Sequence, residues 1–81
     1  MSRRVYVEVT VQFTPEGQML PLTIRWEDGT VYQIDRVLEI RRAAALKAGG
    51  CGLRYRCRIG RAESYLFWDD TRWFVESKDG E

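Results

Sequence analysis

Arg54, Arg56 and Arg58 stand at alternate positions, interleaved with Leu53, Tyr55, Cys57 and Ile59. Side chains alternate between the two faces of a strand, so this spacing predicts one apolar face and one row of guanidinium groups. Guanidinium is planar, permanently charged and suited to two-pronged hydrogen bonding with phosphate or carboxylate. Tyr65, Trp68 and Trp73 follow on what read as the neighbouring strands. Together these six residues form a candidate binding set, with arginines for anionic groups and aromatic rings for stacking bases of single-stranded nucleic acid. The competing expectation is a solvated face whose arginines are neutralised by Glu63, Glu76 or Asp35 across the sheet, each such pair contributing roughly 0.2–1 kcal/mol.

Other chemistry is scarce. The chain has no histidine, which removes the commonest general base and metal ligand. Ser2, Ser64 and Ser77 are the only serines, and neither a nucleophile elbow nor a phosphate-binding glycine loop is present. Cys51, between Gly50 and Gly52 and close to Lys47 and Arg54, is the best candidate for a reactive thiol, since cationic neighbours lower a thiol's pKa. Cys57, in phase with Tyr55 and Ile59, reads as a small core residue. Asp69, Asp70 and Glu63 invite a cation, but adjacent aspartates favour a turn through their own backbone hydrogen bonds. No enzymatic activity, cofactor or metal is expected.

Eighty-one residues are enough for a single domain, with an ordered core expected over about residues 4–77. Apolar residues at 44% and charged residues at 31% describe a folding chain rather than a disordered one. The net charge of +1 opposes strong non-specific attraction to polyanions by the whole molecule. Charge is unevenly placed, however: residues 36–61 hold eight basic side chains and one acid, Glu39, while the acids gather after residue 62. No apolar run approaches the roughly 18 residues of a membrane helix, and the basic start passes into alternation rather than an apolar block. A cytoplasmic location with reduced thiols is the expectation.

The elements that must position the arginines are strands. Valines at 5, 7, 9 and 11 with Phe13 alternate with polar residues; Leu20, Leu22, Ile24 and Trp26 do the same. Pro21 has no amide proton and belongs at an edge or outside full pairing. Asp28-Gly29 predicts a hairpin whose two turn residues both take positive φ. A third strand is expected over residues 31–40, bent by a bulge because Arg36 and Val37 slip the phase. Residues 43–48 suggest one short helical turn before Gly49-Gly50. The arginine strand, residues 63–68 and residues 72–76 complete an all-β, five- to six-stranded antiparallel meander curled into a small barrel or roll. The regular first strand is expected to offer a sheet edge, and residues 65–68, apolar on both faces, an exposed patch. Both features mark association surfaces.

Arg25-Trp26, Gly29, Val31-Tyr32, Tyr55-Arg56-Cys57-Arg58, Tyr65-Leu66 and Arg72-Trp73-Phe74-Val75-Glu76 together resemble a pattern found in small bacterial all-β domains of unknown function. The resemblance spans about residues 20–76. Ser64 stands where that pattern commonly has an acid, and the alanine-rich linker is particular to this chain. The resemblance implies a compact β-domain and carries over no catalytic residue. The expected function is a non-enzymatic module that binds a protein partner or self-associates; the alternative is single-stranded nucleic-acid binding on the face of Arg54, Arg56 and Arg58.

Overall fold

The computed structural model describes residues 2–43 and 52–78. Seven antiparallel strands form one sheet: β1 (Ser2–Phe13), β2 (Met19–Arg25), β3 (Val31–Gln33), β4 (Arg36–Arg42), β5 (Leu53–Ile59), β6 (Ala62–Trp68) and β7 (Trp73–Lys78). Their spatial order is β3-β2-β1-β7-β6-β5-β4. Consecutive strands are neighbours, and β7 returns to pair with β1 from Ser2↔Lys78 to Val7↔Trp73. The sheet is thus a meander that curls toward closure, with its ends at β3 and β4.

The turns explain the local folding. Glu27, Asp28 and Gly29 form a three-residue loop in which Trp26 N–H donates to the Thr30 carbonyl at 2.7 Å. Positive φ falls on Gly29 alone, at 91°, so the Asp-Gly hairpin forms with one left-handed residue and not the expected two. In the two-residue turn between β5 and β6, Gly60 takes φ 61° and donates its amide to the Asp35 carboxylate at 2.7 Å.

The expected third strand divides in two, which raises the count to seven. Ile34 donates its amide to the Leu22 carbonyl of β2, and Asp35 donates to the Arg58 carbonyl of β5, both at 2.9 Å. Successive residues are therefore tied to opposite ends of the sheet, and the chain steps between them instead of continuing one ladder. β1 is paired on both sides, by β2 and β7, so it is no edge. The helical turn expected over residues 43–48 lies outside the described residues apart from Ala43, which is in neither helix nor strand.

The curl encloses a core of Ile24, Ile34, Tyr55, Cys57, Leu66 and Trp73. Burying a large apolar side chain contributes roughly 1.5–3 kcal/mol, so these residues dominate the stability of a domain this small. Tyr55 shows how the sheet bends. Its hydroxyl donates to the Met19 carbonyl at 2.7 Å, reaching from β5 to β2, which are separated in the sheet by β6, β7 and β1. That bond is possible only because the sheet's two ends approach across the interior.

Phe74 is fully buried although it alternates with the inward-facing Trp73 and lies on the other face. It stacks on Phe67 with ring centroids 5.0 Å apart, meets Tyr6 edge-on at 5.8 Å and lies under the Arg4 guanidinium at 4.5 Å. The outer face thus has a small aromatic cluster of its own.

Candidate interaction surface

Arg54, Arg56 and Arg58 share the outer face of β5, as their spacing predicts, while Tyr55 and Cys57 point into the core. β6 supplies Glu63 in register with Arg58, Tyr65 with Arg56 and Phe67 with Arg54. On the other side, β4 supplies Arg36 opposite Arg58, Glu39 opposite Arg56 and Arg41 opposite Arg54. Neutralisation is partial. Arg56 lies between Glu63 at 3.0 Å and Glu39 at 3.7 Å, Arg41 bonds Glu39 at 2.9 Å, and Arg58 approaches Glu63 at 3.7 Å. Three of the five arginines of β4 and β5 on this face, Arg41, Arg56 and Arg58, therefore share two carboxylates. Arg54 has no ion pair among the described residues; its guanidinium lies 4.6 Å from the centroid of the Tyr65 ring. The Asp35 carboxylate accepts from the Gly60 amide.

Two like-charge pairs result, Arg36 with Arg58 and Arg41 with Arg54, directly opposite across the β4–β5 ladder. Such pairs destabilise a sheet, and exposed ion pairs like those of Glu39 and Glu63 are worth only about 0–1 kcal/mol. The outer face near β4 therefore keeps a surplus of positive charge.

The expected binding set is divided between faces. Tyr65 is on the arginine face, 45% exposed. Trp68 and Trp73 are on the opposite face: Trp73 is buried at 8% exposure, against Tyr55 with centroids 5.4 Å apart and Trp68 at 5.1 Å. Trp68 packs against the core as well. Neither indole can stack with a ligand held by the arginines. Parity accounts for this, since Trp68 is three residues from Tyr65 and falls on the other side of the strand. The rings that do accompany the cations are Tyr65, Phe67 and Tyr6, the last beneath the Arg72 guanidinium at 3.8 Å.

The feature least visible in the sequence lies where the curl stops. β4 pairs only with β5, and the first half of β2 pairs only with β1, among the described residues. Between these two backbone edges runs an open groove of about 640 Å3 whose apolar lining includes Leu20, Leu22, Ile34, Val37, Leu38 and Ile40, and whose polar lining comes from Gln18, Asp35, Arg36 and Glu39. The crossing at Ile34 and Asp35 closes one end. Both edges carry a register shift. Leu22 is skipped between Thr10↔Thr23 and Val11↔Pro21, and Leu38 between Val37↔Cys57 and Glu39↔Arg56. Each bulge thus turns one leucine toward the seam, and the first accommodates Pro21, which needs no ladder donor there.

Burial pushes the Cys57 thiol up to about 11, and burial followed by the neighbouring Cys57 raises the Tyr55 phenol. Cys51 lies outside the described residues. Asp69 spends its carboxylate on its own turn, accepting from the Arg72 amide at 2.8 Å and from the amide and hydroxyl of Thr71 at 3.0 and 2.8 Å. These bonds, that of Arg72 first, lower its pKa. Among the described residues no three acidic, cysteine or histidine side chains are grouped to hold a metal, and no helix is long and apolar enough to cross a membrane.

Comparison with protein families, with curated proteins and with solved structures finds no match to this chain.

Proposed function

We propose that this protein is a non-enzymatic protein-interaction module that takes an extended segment of a partner into the seam between β2 and β4. The sheet, left unclosed among the described residues, is the observation that carries this reading. Unpaired strand edges present rows of amide and carbonyl groups, and strand addition supplies them with partners while alternate side chains enter pockets. A groove of mixed polar and apolar lining between two such edges offers both ingredients in one place.

Single-stranded nucleic-acid binding is the second reading, favoured by one observation, the surplus charge of the two arginine pairs beside the exposed Tyr65. With Trp68 and Trp73 on the opposite face it has fewer stacking surfaces to draw upon.

Panning a random peptide display library against the immobilised protein, then mapping selected peptides by amide NMR, tests the main reading. Shifts are expected at residues 19–22 of β2 and 36–40 of β4. Shifts confined to the outer face of β5 and β6 would contradict it.

A further inference from the structure

We propose that the strand accepted by the seam alternates apolar and acidic residues, so that the partner is an extended acidic segment and not a second copy of this chain or a nucleic acid. This rests on the strand-addition reading and concerns which partner the same groove prefers.

The two faces of β4 set the pattern. Val37 and Ile40 are in register with the buried Cys57 and Tyr55, so a strand laid against β4 would place every second side chain on the apolar inner side. Its remaining side chains would lie on the outer side, beside Arg36, Glu39 and Arg41. Cross-strand neighbours sit about 4.5–5.5 Å apart at Cβ, close enough for the charge at each position to matter. Glu39 is already engaged by Arg41 and Arg56. Arg36 and Arg41 each face another arginine, Arg58 and Arg54, on their β5 side. Their other side is the open edge. A carboxylate arriving there would give each arginine pair an acid on its open side, an arginine–arginine–acid row, whereas a lysine or arginine would extend an unfavourable one.

The same rule disfavours self-pairing through β4, because a second copy would bring its own Arg36, Arg41 and Arg42 to an edge that already carries them. An oligonucleotide can meet the guanidinium groups but has no amide and carbonyl ladder with which to satisfy the edges of β2 and β4.

The test uses short fluorescent peptides alternating valine with glutamate or valine with lysine, and fluorescence anisotropy with the full chain at low and physiological salt. The glutamate peptide is expected to bind on the order of tenfold more tightly than the lysine peptide, the advantage shrinking as salt rises. The R36E/R41E double variant should reverse the order, its fold being checked by its amide spectrum; if it does not fold, the salt dependence of the native chain decides alone. Equal binding of both peptides with shifts at the seam would overturn the acidic preference and leave the strand-addition reading intact. Absence of seam shifts with either peptide would overturn both. Displacement of the glutamate peptide from the seam by a thymidine oligonucleotide would assign the charge surplus to nucleic acid and refute the proposal.

Discussion

Replacing Tyr55 by phenylalanine isolates the bond that holds the curl. The ring, buried at 1% exposure, keeps its packing against Trp73, while the hydroxyl that donates to the Met19 carbonyl at 2.7 Å disappears. A neutral hydrogen bond contributes a net of about 0.5–1.5 kcal/mol, and a partly buried acceptor left without its donor raises the loss toward about 1–3 kcal/mol. Met19 is half-buried, so water can replace part of the donor, and the expected loss is about 1–2 kcal/mol. In a domain of this length that lowers Tm by about 4–8 °C for each kcal/mol. Urea unfolding followed by tryptophan fluorescence should show a lower midpoint with an unchanged slope. Y65F, which removes an exposed hydroxyl, serves as the control and should change stability by less than about 0.5 kcal/mol. If Y55F were as stable as Y65F, the bond across the interior would not be what draws β5 toward β2.

Three further outcomes follow from the same geometry. F74A should cost about 3–5 kcal/mol despite lying on the outer face, because the ring is fully buried by Phe67, Tyr6 and Arg4; a loss below about 1 kcal/mol in urea unfolding would mean that the cluster packs loosely. Cys57 ionises at about 11 in the fold against 9.0 ordinarily, so the folded state retains its proton longer, and stability present below pH 9 should fall as pH rises toward 11. The loss is on the order of 2–3 kcal/mol, Tyr55 adding in the same direction above pH 10, and equal urea midpoints at pH 8 and pH 10.5 would refute it. Asp69, whose folded pKa is lowered chiefly by the Arg72 amide, contributes stability above its ordinary pKa of 3.8 that is lost as pH falls through the lower folded value. D69N should therefore flatten the acid limb of the stability curve, and an unchanged acid limb would argue against those bonds.

Where one alternation of side chains decided the outcome, the sequence was legible. Residues 53–59 form the expected strand with arginines outward, Cys57 is buried, and Pro21 sits at a bulge on a half-open strand. Parity also separates Tyr65 from Trp68, since residues three apart cannot share a face of one strand. What remained hidden depends on distant pairing. Ile34 continues the apolar phase of Tyr32, and only its tie to Leu22, with that of Asp35 to Arg58, divides the strand. The partner of Arg41 is Glu39, two residues away on its own strand, and the same Glu39 reaches Arg56 across the ladder. The seam is harder still to foresee, because it exists only once β7 has returned to β1 and fixed β3 and β4 as the ends of the sheet.

Amide hydrogen exchange on β4, measured with and without the valine–glutamate peptide, tests the central claim most directly. In the free protein the amides of β4 that face β5 should exchange slowly and the intervening ones fast, an alternation within one strand. Added peptide should slow the fast set, together with amides in the first half of β2. Peptide binding that leaves those amides fast, or a free protein in which every amide of β4 is already protected, would contradict an open seam that accepts a strand.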